Sequence, residues 1–231
     1  MEYNLTPEQQ MIRESAREYA QQYLLPGVIE RDLNGHWPKE QIAQMGELGF
    51  MGMMVDPRWG GSGLDSMSYV LAMEEISKID ASASVIMSVN NSLVCWGLEK
   101  FGSEAQKEKY LPGLASGKLL GAFCLSEPEA GSDASSQKTK AEDKGNYYLV
   151  NGTKNWITNG GHADVYLVMA QTDPSLKSKG INALIIERGT PGFDIGPKEQ
   201  KMGIRSSDTH TLQFSDVRVP KENRIGDEGF R

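Results

Sequence analysis

Residues 119–133, Leu-Leu-Gly-Ala-Phe-Cys-Leu-Ser-Glu-Pro-Glu-Ala-Gly-Ser-Asp, decide the fold, because the helical pattern of the chain ends here and a strand pattern begins. The second part of this stretch is a turn of small residues. A similar segment, Trp-Ile-Thr-Asn-Gly-Gly at 156–161, follows about one hairpin later. Glycine lets the backbone approach a ligand closely, and successive N–H groups in such a turn can hold an anion. An indole beside a hydroxyl suits a flat ring with hydrogen-bonding nitrogens. Together the two segments predict a site for a planar, phosphate-bearing cofactor.

The chain before this stretch is predicted to be helical. Thr6-Pro7-Glu8-Gln9 forms a capping box with proline at the first helical position, and this helix should run to about Leu25. Four further helices are predicted: about 38–49, one capped by Asp65, about 82–99, and one from Ser103 to about Gly113. Glu74 and Glu75 are interpreted as a solvated helix edge.

The chain after this stretch is predicted to be β-structure. Short runs rich in β-branched and aromatic residues alternate with Gly, Pro, Asn and Asp at 119–125, 147–150, 165–170, 181–186 and 212–219. Asn151-Gly152 is a hairpin-turn dipeptide. The fold class is therefore α+β, with an all-helical domain at 1–118 followed by an antiparallel β-barrel or sandwich domain at 119–231.

Composition narrows the function classes. The net charge of −7 among 231 residues argues against a nucleic-acid-binding protein, since that role needs a cationic face. Cys95 and Cys124 lie in apolar surroundings and are expected to be buried thiols; three scattered histidines make a metal site unexpected. A secretory signal and an apolar run of about 18 residues are both absent, which predicts a cytoplasmic protein without a membrane partner; a processed organellar protein is the alternative. The motifs of a Rossmann site, a P-loop and a serine-hydrolase elbow are also absent.

The two segments also carry a family resemblance. CLSEPEAGSD and WITNGG are similar to the flavin-binding signatures of acyl-CoA dehydrogenases, and the short-chain, butyryl-CoA branch matches best. The resemblance covers nearly the whole chain and continues, in order, through WGGSGLD (59–65), MEEISKIDAS (73–82), VIMSVNNSL (85–93), KFGSEAQKEKYLPGLASG (100–117), VNGTKNWITN (150–159) and KMGIRSSDT (201–209).

The resemblance implies an FAD-dependent oxidoreductase. Such an enzyme dehydrogenates a short-chain acyl-CoA to the trans-2-enoyl-CoA, with hydride transfer to flavin N5, and passes the electrons to an electron-transferring flavoprotein. A homo-oligomer, as in the family's tetramers, is expected. The implied flavin contacts come from the two segments: Phe123, Cys124, Leu125, Ser126, Gly131, Ser132, Trp156, Ile157 and Thr158.

Individual roles also follow from the resemblance. Gly131 and Ser132 would meet the FAD pyrophosphate, with Ser132 also near the CoA part of the substrate. Trp156 would cover one face of the flavin ring, and Thr158 would place its hydroxyl near N5. Met87 and Ser88, on helix 82–99, would help to wall the acyl pocket.

Other interpretations stay open beside these roles. Spacing alone favours an ordinary strand ending in a turn at 123–132, and Trp156 could be a barrel core residue. Arg205 is interpreted as structural, paired with an acid; the alternative is an ion pair with a phosphate.

The resemblance also implies a missing part. The family's catalytic base lies in a C-terminal helical domain, which is expected to begin where this chain ends, so no catalytic residue is predicted here. The alternative function is a non-catalytic flavin- or CoA-binding module, or a structural fragment.

Overall fold

The structure is a computed structural model that describes residues 4–226. Its first half is helical. The α-helices are α1 (Pro7–Tyr19), α2 (Val28–Asn34), α3 (Lys39–Glu47), α4 (Ser66–Ile79), α5 (Ala81–Ser88), α6 (Trp96–Phe101) and α7 (Glu104–Ala115). Every helix in residues 4–226 is too short or too polar to cross a bilayer.

The predicted helix caps are confirmed. The Thr6 hydroxyl accepts a hydrogen bond from the Gln9 N–H at 3.1 Å, and the Gln9 side chain accepts one from the Thr6 N–H at 3.1 Å. Asp65 caps α4 through the Ser68 N–H at 2.6 Å, and Ser103 caps α7 with a second capping box. These bonds satisfy N–H groups that have no partner within the helix, so each helix begins at its cap.

Two helical predictions need correction. Helix α2 was not predicted; it begins after Gly27 and ends at Gly35, and both glycines adopt a left-handed backbone conformation. The predicted helix at 82–99 is a longer helical segment, because α5 and α6 are joined by π-helical turns at Val89–Cys95. Most of this segment is buried, as its apolar sequence indicates.

The second half of the chain is a curled seven-stranded sheet. Its strands are β1 (Gly121–Cys124), β2 (Lys140–Asp143), β3 (Tyr147–Thr158), β4 (Val165–Gln171), β5 (Ile181–Glu187), β6 (Phe193–Lys198) and β7 (Thr209–Pro220). The strand order is β1-β4-β2-β3-β7-β6, and β5 also pairs with β4. Strands β2 and β6 were not predicted. The α+β class is confirmed, and the barrel or sandwich predicted for the second part is observed as a curled half-barrel.

The sheet is mixed, which corrects the prediction of an antiparallel one. Strand β1 runs parallel to β4, in a register from Gly121 opposite Val165 to Cys124 opposite Val168. Strand β2 also contacts β4 in parallel, at Lys140 opposite Gln171. The reason is the connection: the β2–β3 hairpin lies between β1 and β4 in the chain, so β4 enters the sheet beside β1 in the same direction.

Asn151-Gly152 is not a hairpin turn. The dipeptide lies inside β3, where the register against β7 shifts between Val150 and Gly152. Gly152 has a φ of 154°, and a Cβ at this position would collide with Thr139 of the neighbouring chain segment. Glycine therefore allows a bulge and a close approach of two backbones here.

Three apolar cores stabilise the part of the chain that the structure describes, residues 4–226. One lies inside the curled sheet, one lies among α1, α3, α4 and α5, and the third joins α6 and α7 to β1, β4 and β5. Cys95 and Cys124 are buried free thiols, as predicted, and burial raises the pKa of each. The domain boundary at 118/119 stays a prediction.

Candidate functional site

The first predicted segment is a loop that is fastened to β3 by a buried lysine. Lys154 lies on the inner face of the sheet and its side chain is 0% exposed. Its ammonium group donates to the Leu125 carbonyl at 2.9 Å, to Glu127 Oε1 at 2.8 Å and to Gln137 Oε1 at 2.9 Å. These three acceptors lie at three points of the loop between β1 and β2, so one side chain fixes its course.

Glu127 completes this anchor. Its carboxylate also accepts the backbone N–H groups of Lys138 and Thr139. Burial alone would raise the pKa of Glu127, but the hydrogen bonds from Lys154 and Thr139 outweigh it and lower the pKa. Burial lowers the pKa of Lys154, against the opposing effect of Glu127. Each charge therefore depends on the other for its place in the sheet interior.

Trp156 lies two residues beyond Lys154, at a bulge in β3. The register against β7 shifts between Lys154 and Ile157. Trp156 has a φ of 61°, a backbone angle that residues other than glycine rarely adopt. The indole is 63% exposed, so the alternative of a barrel core residue is wrong. Bulges near functional sites turn side chains to new directions, and strained backbone concentrates at such sites.

The backbone joins the loop to this bulge. The N–H of Asn155 donates to the Ser126 carbonyl at 2.8 Å, next to the contact between Lys154 and the Leu125 carbonyl. Ser126 of the first segment and Trp156 of the second segment are thus brought close to each other.

The second segment is held by Asn159 and Asp208. Asn159 is fully buried with a φ of 64°, and its amide donates to the Gly121 carbonyl at 3.0 Å and to the Ile86 carbonyl at 3.4 Å. The Asp208 carboxylate accepts the Gly161 N–H at 2.5 Å. This segment is therefore fixed both to β1 and to the helical half.

Two histidines surround the buried Asp208. His162 Nδ1 lies 3.2 Å and His210 Nε2 lies 3.3 Å from Asp208 Oδ2. Trp37 of the helical half stacks on His162 with a centroid distance of 4.1 Å and an interplanar angle of 5°. Within residues 4–226, no group of three or more potential ligand side chains is arranged to hold a metal ion.

Gly131 and Ser132 lie on the exposed tip of the first segment. A Cβ added at Gly131 would meet nothing within 4 Å, and no N–H hydrogen bond of these two residues is found in the described part of the chain. Two adjacent free N–H groups on an open turn can donate hydrogen bonds to an anion such as a pyrophosphate. Together with the exposed indole, they fit a planar cofactor that carries phosphates.

An apolar groove of about 260 Å³ lies between the helical segment and the sheet. Trp96 and Leu93 line it from the helices, and Phe123 and Leu167 line it from β1 and β4. The Ser88 hydroxyl lies 3.4 Å from the hydroxyl of Ser92, another lining residue, so Ser88 is one helical turn from the groove.

Some predicted contacts have buried side chains. Met87 is fully buried in the helical core, and Cys124 and Ile157 lie in the core of the curled sheet. Their side chains therefore support the site from behind. The roles assigned to all the residues of the two segments stay predictions.

Three site residues were not predicted: Lys154, Glu127 and Asp208. The signal for Lys154 was its place on an inward-facing position of a strand, where an apolar residue is usual. Glu127 and Asp208 resembled ordinary turn acids, and their burial depends on contacts between distant segments.

Two other polar predictions have different outcomes. Arg205 is paired with an acid, as predicted, because its Nη1 lies 2.9 Å from Asp32 Oδ2. The interpretation of Glu75 as solvated is wrong: its side chain is 5% exposed and bonds Arg17 Nε at 2.9 Å. Glu74 is exposed, as predicted.

Comparisons with known proteins agree with this architecture. The family model described as "Acyl-CoA dehydrogenase, N-terminal domain" matches residues 6–118, and "Acyl-CoA dehydrogenase, middle domain" matches 122–217. The chain is 48% identical over 234 residues to the short-chain specific acyl-CoA dehydrogenase of Megasphaera elsdenii, covering 99% of this chain and 61% of that protein. The chain belongs to the acyl-CoA dehydrogenase family.

Solved structures give the same result. Butyryl-CoA dehydrogenase from Megasphaera elsdenii has a TM-score of 0.94 at 47% identity, covering 99% of this chain and 61% of that one. A chain from the structure described as electron transferring flavoprotein of Acidaminococcus fermentans has a TM-score of 0.96 at 49% identity, covering 99% and 60%. A glutaryl-CoA dehydrogenase from Mycobacterium smegmatis, in complex with FADH2, has a TM-score of 0.90 at 34% identity, covering 97% and 58%. The chain thus spans about three fifths of the length of these relatives.

Proposed function

We propose that the protein carrying this chain is an FAD-dependent dehydrogenase of short-chain acyl-CoA thioesters. The observation that supports this most is the exposed indole of Trp156, held in a strained conformation beside a loop that is fastened from inside the sheet. A large aromatic side chain that a bulge keeps exposed to solvent can stack on a flat ring. The relative solved with FADH2 supports the choice of FAD.

The residues of the two segments divide the binding of FAD. Trp156 stacks on one face of the ring and excludes water from it, and Thr158 offers its hydroxyl to a ring nitrogen. Gly131 and Ser132 bind the pyrophosphate through their N–H groups. When bound, the flavin supplies the acceptor for the hydride that leaves the substrate's β-carbon.

The acyl chain of the substrate is assigned to the apolar groove beside Trp96 and Phe123. A groove of about 260 Å³ suits a short acyl group, and the short-chain relatives favour butyryl-CoA. Within residues 4–226, no carboxylate is assigned the removal of the α-proton. Electron transfer to an electron-transferring flavoprotein, homo-oligomer formation and a cytoplasmic location complete the proposal.

The test is a visible absorption spectrum of the purified protein, recorded without oxygen before and after addition of butyryl-CoA. Flavin bands that bleach on addition are expected for the dehydrogenase. Flavin bands that persist would favour the non-catalytic flavin-binding module. A protein that shows no flavin bands, and gains none when FAD is added, would refute both functions.

A further inference from the structure

Lys154 has a position that packing alone does not explain. Along β3, Val150 points into the sheet core, and Lys154 occupies a further inward-facing position with no exposed surface. An aliphatic residue would fill this position without the large cost of burying a charge. The choice of lysine therefore points to what its ammonium group does.

The contacts of Lys154 require its charged form. Its Nζ donates to three acceptors, on Leu125, Glu127 and Gln137, at 2.8–2.9 Å. Three donated hydrogen bonds need three N–H groups, which only the protonated amine has. All its donors are used inside the protein, so Lys154 itself has none left for a ligand.

The next two residues of β3 link the buried lysine to the surface of the site. Asn155 binds the Ser126 carbonyl through its N–H, and Trp156 follows at the bulge. The loop and the indole are therefore attached to the same three residues of one strand. A displacement of the ammonium group would move Ser126 and Trp156 relative to each other.

We propose that Lys154 is a positioning residue that holds Ser126 and Trp156 in one fixed arrangement for the flavin. This inference rests on the proposed function, since it assigns the arrangement to a flavin site. Lys154 acts from behind the site: its charge keeps the Leu125 carbonyl and the Glu127 carboxylate turned inward, which leaves the outer side of the loop to face the ring.

A purely structural lysine would give a different result. Its loss would lower the free energy of unfolding, but the folded molecules would bind FAD as the native protein does. A matched control is Val217→Ala, because Val217 is fully buried in the same sheet core, opposite Val150, and lies on β7 toward the end away from Trp156. This variant should lose stability without a change in the site.

The experiment titrates FAD into the native apoprotein and the Lys154→Met, Lys154→Arg and Val217→Ala variants, well below their melting temperatures. It measures the Kd and the visible circular dichroism of the bound flavin, which reports the asymmetry of the ring's surroundings. For Lys154→Met we expect a Kd about tenfold higher or more and an altered dichroic band. Val217→Ala should stay within about threefold of the native Kd, and Lys154→Arg should recover part of the affinity.

The outcomes separate the two proposals. Native FAD binding together with an unchanged Kd and dichroic band in Lys154→Met would overturn the role of Lys154 and leave the proposed function standing. A native protein that binds no FAD would overturn both. If Lys154→Met does not fold, Glu127→Gln tests the same anchor, since it removes one charge and keeps the shape. An unchanged Kd and band in that variant would also refute the inference.

Discussion

The strained backbone at Trp156 predicts which of two variants, Trp156→Ala or Trp156→Gly, is the more stable. At ordinary positions an alanine variant is more stable than a glycine variant by about 0.5–1 kcal/mol. At a φ of 61°, alanine instead bears a conformational strain of about 1–2 kcal/mol that glycine does not. The two effects oppose each other, and the strain is larger. We therefore expect Trp156→Gly to be more stable than Trp156→Ala, by up to about 1.5 kcal/mol.

The loss of the indole affects both variants equally. Trp156 is 63% exposed, so 100 − 63 = 37% of its surface is buried. A fully buried tryptophan covers up to about 250 Å², so this share is about 90 Å² and stabilises the fold by about 2 kcal/mol. The expected destabilisation is therefore about 2 kcal/mol for Trp156→Ala and about 0.5–2 kcal/mol for Trp156→Gly.

Trp96 is the matched control for this comparison. It is 51% exposed, but its φ of −59° is helical. At this position the ordinary order should hold, with Trp96→Ala more stable than Trp96→Gly by about 1 kcal/mol.

The assay is urea unfolding of the apoprotein, followed by far-ultraviolet circular dichroism, with FAD affinity as a second measurement. Both Trp156 variants should bind FAD about equally weakly, because both lack the aromatic surface. The reasoning is refuted if Trp156→Ala is more stable than Trp156→Gly by about 0.5 kcal/mol or more, which is the difference expected at an unstrained position. It is also refuted if either variant binds FAD as tightly as the native protein.

Two further predictions concern buried polar groups. Asn159→Ala should destabilise the protein by about 2–4 kcal/mol, because it leaves the Gly121 carbonyl unpaired and places alanine at a φ of 64°. Thermal unfolding measures this loss, and a loss below about 1 kcal/mol would contradict the prediction. The hydrogen bond from Arg17 lowers the pKa of Glu75 from 4.5 to about 2. The resulting stability is present above pH 4.5 and is lost as the pH falls toward 2. It should amount to about 1–2 kcal/mol after screening by solvent. In Glu75→Gln, the free energy of unfolding should therefore change less with pH across this range.

The features that were predictable from the sequence are local ones. The caps at Thr6, Asp65 and Ser103 follow from three or four residues each, so their helices begin where the sequence indicates. The change from helices to strands near residue 119 is also a matter of local periodicity. The family motifs are contiguous stretches, so the sequence alone indicates the family.

Features that depend on distant contacts were not predictable in this way. The parallel pairing of β1 with β4 is set by the chain path, and no pattern within either strand records it. Asn151-Gly152 has the composition of a turn, but the close approach of Thr139 is what requires the glycine. The prediction that Glu75 is solvated was wrong because its partner, Arg17, is 58 residues away in the chain.

The buried charges point to the same surface as the exposed indole, by an independent route. Glu127 accepts N–H groups from the first segment's loop, and Asp208 accepts the Gly161 N–H of the second. Both carboxylates are at least 94% buried, where a charge costs free energy unless it is paired. A sheet selected for stability alone would have apolar residues at these positions. Because each acid holds one of the two segments, the cost of burying it is explained if the function requires these segments to stay fixed. Apolar replacements at Glu127 or Asp208 should therefore impair flavin binding.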